Sequence, residues 1–277
     1  MQETPDRLVP DVDVPPEDLR HLAGPTDVVP DRREFKYLIP REELPALRDF
    51  ISKVCRRDAN AGPDGGYRLR SLYLDTWNMR LFKANEREAP VRFKARVRCY
   101  PDAPADSPVF AEIKGRNGDV IRKTRAKLPR DRWQALLRGE RAGPHRSDAL
   151  DDFVYRMHRF DLRPVCHVDY RREAWMSRLE EYARVSIDTR VEARQVRDFT
   201  LRSGKSMKPI DSPLPTHTRG SISVVELKWA DAAPRWMVQV VERFELLRHS
   251  FSKYGFSVLA LNEDHFVDYR RTQAAWA

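Results

Sequence analysis

Between residues 33 and 229 the chain keeps alternating apolar and charged positions. In an extended Arg33–Tyr37, Phe35 and Tyr37 fall on one side and Glu34 and Lys36 on the other. Lys94, Arg96 and Arg98 oppose Phe93, Ala95, Val97 and Cys99, and Glu112 and Lys114 oppose Val109, Ala111 and Ile113. Lys123, Arg125 and Lys127 share a face of the next segment. Asp169, Arg171 and Glu173 oppose Val168 and Tyr170, and Glu226 and Lys228 oppose Val225, Leu227 and Trp229. Successive strand residues point to opposite sides, so each segment reads as a strand with one apolar and one charged face. The pattern predicts strands over Arg33–Pro40, Tyr67–Asp75, Val91–Tyr100, Val109–Gly115, Asp119–Leu128, Pro164–Trp175, Ala183–Asp188, Val191–Phe199 and Ser221–Trp229. Apolar residues at helical spacing predict helices over Arg41–Val54, Ser147–Phe160 and Arg235–Ser250. A fourth, Pro129–Gly139, runs from a first-turn proline to a terminal glycine. Most strands follow one another too closely for helical crossovers, which favours an antiparallel sheet with helices packed on it.

A half-solvated antiparallel sheet explains any one of these strands, with charges in water and apolar groups on a core. Two features go further. The charged faces repeat a short Glu-x-Lys form, at Glu34/Lys36, Glu112/Lys114 and Glu226/Lys228, and charge recurs in nearly every strand. The amphipathic helices meanwhile suffice to cover the apolar side. A sheet closed on itself, with charges inside, fits both. The expected fold is therefore α+β, an antiparallel β-barrel-like tunnel with helices packed on the outside. Such an interior suits a chain of phosphates, because Lys and Arg neutralise phosphate oxygens and Glu binds a bridging divalent cation.

Composition narrows the class. The chain has 277 residues, with 51 Lys+Arg against 42 Asp+Glu and a formal net charge of +9. With 34% charged and 41% hydrophobic residues it is neither a disordered chain nor a membrane protein. Arginine accounts for 40 of the 51 basic residues. Codon bias is the better explanation for most surface arginines, and an anionic partner is the sharper alternative. No apolar run approaches the roughly 20 residues that span a bilayer. Met1–Asp6 is acidic without an apolar run behind it, so no secretory signal is expected. Cys55, Cys99 and Cys166 are odd in number and far apart, which argues against a disulfide framework or a Cys-based zinc site. The expected setting is the cytoplasm. Residues 1–31 are rich in Pro and Asp and read as an extended tail, and 32–277 as one domain. Ser203–Thr218, with three prolines, reads as a surface loop.

At these strands the chain resembles the VTC domain of the vacuolar transporter chaperone family, a branch of the triphosphate tunnel metalloenzymes. The matching pieces run in order: Arg33–Tyr37, Tyr67–Thr76, Arg96–Tyr100, Ala111–Lys114, Lys123–Arg125, Tyr170–Trp175, Arg184–Asp188, Val225–Lys228 and Ser252–Tyr254. The resemblance implies a basic tunnel that binds a triphosphate or polyphosphate with Mn²⁺ or Mg²⁺. In the polymerase branch, the γ-phosphate of ATP passes to a growing polyphosphate chain. Carried over position by position, Lys36, Arg96, Arg98, Arg171 and Lys253 become catalytic candidates. Arg70, Lys114, Lys123, Arg125 and Lys228 become phosphate binders, and Glu226 and, more weakly, Glu112 metal ligands. Lys94 is an additional basic residue without a role. The implied partners are ATP and inorganic polyphosphate, with no specific nucleic acid and a membrane-protein partner left open. The chain departs from relatives that hydrolyse triphosphate or cyclise ATP. Its opening strand has only one of the two glutamates of their Glu-x-Glu-x-Lys, with Arg33 in that neighbourhood. The 31-residue tail is too short for the phosphate-sensing domain of the eukaryotic polymerase.

Other motifs weigh less. The histidines have no metal-ligand spacing. Gly62–Gly66 lacks the Gly-Lys-Ser/Thr of a phosphate loop and reads as a turn, and Gly204-Lys205-Ser206 lacks the upstream glycine. Ser221 and Ser223 have no nucleophile context. The tryptophans read as core. Two alternatives to the polymerase stay open: a metal-dependent tripolyphosphate or nucleoside triphosphate hydrolase, and a non-catalytic polyphosphate-binding module.

Overall fold

The alternating segments form one antiparallel sheet. The computed structural model describes residues 32–262 apart from 119, 141, 142, 203, 205, 217, 231 and 250, and among these the sheet has ten strands. They are β1 (Arg32–Pro40), β2 (Cys55–Arg57), β3 (Tyr67–Asp75), β4 (Val91–Cys99), β5 (Val109–Asn117), β6 (Val120–Leu128), β7 (Arg163–Ser177), β8 (Arg184–Gln195), β9 (Lys208–Pro209) and β10 (Ile222–Ala230). Their order is β1-β10-β8-β7-β3-β4-β5-β6, with β2 on β7 and β9 on β8. The expected tail, residues 1–31, and the end of the expected domain, 263–277, lie outside the described residues.

The sheet is curled but not closed. Its edge strands β1 and β6 are not paired with each other. Lys114 on β5 nevertheless reaches Glu34 on β1, Nζ to Oε1 3.6 Å. An ion pair, not a strand pair, spans the seam, and the expectation of a sheet closed on itself is corrected to that extent. Ala183–Asp188 and Val191–Phe199, expected as two strands, form the single β8. Arg190 sits there at φ 51°, and the pairing with β7 slips between Asp169 and Arg171. This irregularity resets the alternation, so Asp188 and Val191 face the same side although they differ in parity.

The helices are α1 (Leu44–Ser52), α2 (Arg80–Glu86), α3 (Trp133–Leu137), α4 (Asp148–Arg159), α5 (Pro213–Thr216), α6 (Arg235–Arg243) and α7 (Lys253–Leu261). In α4, Ser147 Oγ accepts from Leu150 N, while Asp148 and Asp151 begin the helix and Arg156, His158 and Arg159 end it. Cap and charges both complement the helix dipole. Expected helix α6 stops short because Glu245 takes φ 45°. The outer face of the sheet carries two cores. Val97, Ala111, Ile113 and Leu128 meet α3 and α4 through Leu136, Leu150 and Phe153. Ile39, Val185, Ile187 and Leu227 meet α1 and α6 through Leu47, Ile51, Met237 and Val240. Each of the Val, Leu, Ile, Met and Phe side chains among them contributes about 1.5–3 kcal/mol on burial. Trp133, Trp175, Trp229 and Trp236 are buried, but Trp77 is 76% exposed and is no core residue.

Helices were expected outside only. α7 lies inside the curl, where Tyr254 and Val258 pack with Tyr73, Val168, Tyr170, Ala193 and Val224 on the concave side. It is buried nearly all round, so its sequence has no polar stripe to mark it as a helix. Asp75, fully buried, ties it in place. Its Oδ1 accepts from Thr76 N and Leu81 N at 2.7 and 2.8 Å. Its Oδ2 accepts from Phe82 N at 2.8 Å and Tyr254 Oη at 2.6 Å. Asp75→Ala leaves these donors buried without an acceptor. The expected loss is about 3 kcal/mol or more, read as a fall in melting temperature of roughly 6–12 °C. An unchanged melting temperature would contradict this role for Asp75.

Candidate functional site

The concave side of the sheet is a lumen lined by ions. β10 and β8 supply Glu226 and Asp188, both almost without solvent contact. Glu226 Oε2 lies 2.8 Å from Lys228 Nζ and 3.4 Å from Arg172 Nη2, and Oε1 lies 3.5 Å from Lys253 Nζ and 4.0 Å from Lys36 Nζ. Asp188 takes both forks of Arg172, at 2.6 and 2.7 Å, and Lys253 Nζ at 2.5 Å. Across the lumen, Glu112 on β5 sits among Lys123, Arg125 and Arg96 at 2.9, 2.8 and 2.7 Å, with Arg98 at 3.9 Å. Glu34 lies between these groups, 3.6 Å from Lys114, 3.7 Å from Lys228 and 3.9 Å from Lys36. Two tyrosines brace the arginines: Arg96 donates to Tyr73 Oη and Arg98 to Tyr170 Oη.

α7 presents its first turn to this lumen. Ser252 Oγ caps it by accepting from Gly255 N at 3.1 Å and also accepts from Lys94 Nζ at 2.9 Å. Lys36 Nζ donates to Phe251 O. Lys253, which the sequence placed merely after the last long helix, is the first residue of α7 and is buried.

Burial raises the cost of every charge here, and the neighbours decide the outcome. Burial opposes ionisation of Glu226, but Lys228, Arg172, Lys253 and Lys36 hold it well below the usual carboxylate range. Glu112 is likewise buried, and Arg96, Arg98 and Lys123 hold it low. Burial also works against the Lys253 ammonium, and Asp188 and Glu226 reverse that and raise it. Three lysines go the other way. Burial, reinforced by Lys36 and Lys114, pushes Lys94 down to about 7. Burial lowers Lys36 to about 8 against the pull of Glu226, and Lys123 to about 8 against that of Glu112.

Most of the sequence-derived candidates meet here: Lys36, Arg96, Arg98, Lys114, Lys123, Arg125, Lys228 and Lys253 among the cations, Glu112 and Glu226 among the carboxylates. Two do not. Arg70 stands on the outer face of β3, where its Nε meets Asp169 Oδ1 at 2.8 Å. Arg171 stands on the outer face of β7, 2.9 Å from Asp64 and 3.1 Å from Glu173. Glu173 is itself held by Arg48 of α1 and Arg57 of β2. A Cβ on Gly66 would lie 2.7 Å from Arg172 O and 2.9 Å from Arg171 Cζ, so glycine lets the Gly62–Gly66 turn lie against this arginine. The lumen arginine of β7 is Arg172, one residue on. Asp188, Tyr73 and Tyr170 are the other lumen groups that sequence reasoning did not single out.

A divalent cation fits unevenly. Both Glu112 oxygens are taken up by cations, so the weaker expectation of a metal there is not supported by its surroundings. Glu226 and Glu34 share Lys228 and Lys36. A cation between these two carboxylates would replace ammonium groups already there. Among the described residues no three His, Cys, Asp or Glu side chains group as a metal cage. Two carboxylates completed by phosphate oxygens and water is the habit of Mg²⁺-type sites.

Comparison with known proteins follows the same outline. The VTC domain family matches residues 31–262. No curated protein is similar to the chain at a significant level. Among solved structures, a Bacillus halodurans protein assigned as an adenylate cyclase is 12% identical, with 79% of this chain and 92% of that one covered and a TM-score of 0.45. A Hippeastrum protein assigned as an adenylyl cyclase, with a dominant triphosphatase activity, is 13% identical over 82% and 95% of the two chains, TM-score 0.46. The PH1819 protein of Pyrococcus horikoshii is 11% identical over 82% and 98%, TM-score 0.39. The family match runs from β1 through α7, the whole set of elements that builds the lumen, and on that match the chain belongs to the VTC domain family.

Proposed function

We propose that the lumen binds linear phosphate chains and transfers the γ-phosphate of ATP to the end of a growing inorganic polyphosphate, with a divalent cation. The observation that supports this most is the excess of cations facing one another inside the sheet. Ten Lys and Arg side chains share the lumen with Glu34, Glu112, Asp188 and Glu226. A string of phosphates supplies the missing negative charge at regular spacing, without a base or sugar to recognise.

Phosphoryl transfer rests on positioning and charge neutralisation. Arg96 and Arg98, braced by Tyr73 and Tyr170, offer forks to phosphate oxygens from one wall. Arg172 and Lys253, locked on Asp188, do so from the other. Lys114, Lys123, Arg125 and Lys228 are one-third to nearly one-half exposed and line the open side, where a chain enters or leaves. Glu34 and Glu226 would hold the divalent cation, which would supply charge neutralisation to the phosphates. An acceptor phosphate is already ionised at neutral pH, so no protein nucleophile or strong base is required. No helix among the described residues is long and apolar enough to cross a membrane.

A phosphate balance tests this reading. With ATP and Mn²⁺, the expected outcome is ADP in excess of orthophosphate and a ladder of lengthening polyanion. Matched ADP and orthophosphate without a ladder would make the protein a hydrolase instead. In the same assay Arg172→Gln is expected to lower turnover by about 100-fold or more, while the outward Arg171→Gln keeps most of it. Equal losses would contradict the inward placement of Arg172.

The depressed lysines give a pH signature. Phosphate oxygens favour the ammonium forms of Lys94, Lys36 and Lys123, whose values of about 7, 8 and 8 in the free protein therefore rise on binding. Tripolyphosphate binding at pH 8 takes up protons, and affinity falls as pH climbs from about 7 to 9. Calorimetry in two buffers of different ionisation enthalpy measures the uptake; proton release would refute it. Without anion the sign reverses for stability. The unfolded chain binds more protons at these lysines than the folded one, so their effect on melting temperature improves as pH rises across the same window.

A further inference from the structure

Outside the lumen, against the outward side of β3, lies a second basic cavity. It has a volume of about 530 Å³ and is lined by Arg68, Arg70, Arg130, Arg202, Trp133 and Thr200, among others. The four arginines are not equivalent. Arg68 is forked onto Asp102 at 2.9 and 2.5 Å, and Arg70 onto Asp169 at 2.8 and 2.5 Å. Those two carboxylates offset their charges and fix their planes. Arg130 and Arg202 form no ion pair among the described residues; the Arg130 guanidinium meets only the neutral Cys99 thiol, and its Nη1 is buried without a hydrogen-bond acceptor. Two positive charges are thus left uncompensated around one concavity. A buried guanidinium N–H without an acceptor is costly and calls for a partner.

The rim is built rather than loose. Arg70 Nη1 donates to Leu201 O at 3.0 Å, and Arg202 N donates to Thr200 Oγ1 at 3.2 Å. Thr200 O meets the ring of the buried His167 at 2.6 Å, and Gln134 donates to Phe199 O. Trp133, only 5% exposed, forms part of the wall. The cavity falls within the ~300–1,000 Å³ range of small-ligand sites and is too small for a nucleic-acid duplex. Guanidinium forks match the oxygens of phosphate better than those of a lone point anion.

We propose that this cavity is a second site, separate from the lumen, for a short phosphate chain of about the size of tripolyphosphate. Arg130 and Arg202 supply the unpaired charge, and Arg68 and Arg70 frame it. The site goes beyond the proposed activity and does not depend on turnover.

The test is calorimetric titration of the full chain with tripolyphosphate, with EDTA present and ionic strength held constant. Two classes of site are expected. Arg130→Gln and, separately, Arg202→Gln each weaken one class by about tenfold or more and leave turnover with ATP unchanged. Lys123→Met weakens the other class. Arg202 is exposed, so Arg202→Gln decides the matter even where Arg130→Gln lowers stability. A single class of site lost in Lys123→Met would overturn the proposal, as would wild-type titrations from both arginine variants. Citrate binding as tightly as tripolyphosphate would overturn the phosphate assignment. An inactive protein that still shows the Arg202-dependent class would sink the proposed activity and leave the outer site standing.

Discussion

Like charges gathered inside a curled sheet repel, and the fold depends on the few carboxylates that offset them. Glu112 on β5 meets four cations from its two neighbours, β4 and β6. Glu226 and Asp188 jointly hold Arg172 and Lys253, which brings β7, β8, β10 and α7 to one point. Glu34 ties β1 to β5 across the unpaired seam. Buried ion pairs of this kind are weak evidence for stability, because desolvation offsets much of the attraction. Their retention is better explained by what they preorganise. Removing an anion from such a cluster costs more than it would in water, and so does leaving its cations without one. For the proposed phosphate chain, such a lumen offers fixed dipoles and charges that need little rearrangement.

Stability comes from the other side of the sheet. Two apolar cores, under α1 with α6 and under α3 with α4, bury one face of nearly every long strand. A third core surrounds α7 within the curl, and Asp75 links that helix to the start of α2. The division of labour is geometric. Because strand residues alternate, each outward apolar residue that packs on a helix forces its neighbour inward. The charged lumen is therefore the reverse side of the hydrophobic core, and one cannot be built without the other. α7 limits the depth of the lumen and positions Lys253 at its inner end, where Asp188 and Glu226 keep it charged.

Much of this is legible in the sequence. Period-two patterning placed the long strands and, through the repeats at Glu34/Lys36, Glu112/Lys114 and Glu226/Lys228, most of the lumen. Arg70 and Arg171 enter as candidates through the family resemblance, and the structure places both side chains on the outer face. Alternation says which residues share a side, not which side faces in. On β7 the outer face is also charged, since Asp169 pairs with Arg70 and Glu173 with Arg48 and Arg57. The signal that separates them is Tyr170, whose parity Arg172 shares. α7 was missed for the opposite reason: a helix buried on all sides has no amphipathic stripe.

By itself, then, the sequence determined the strands, their antiparallel succession, the apolar face of each and a cation-rich opposite face. These follow from local spacing, because the pleat imposes a period of two wherever a strand forms. Only the tertiary structure decided that the sheet curls without closing, that Arg172 rather than Arg171 enters the lumen, and that Lys253 arrives on a helix inside it. It alone also gathered Arg68, Arg70, Arg130 and Arg202 around one outer cavity. These depend on contacts between residues far apart in the chain, and on a slip in register at Arg190 that no local pattern records.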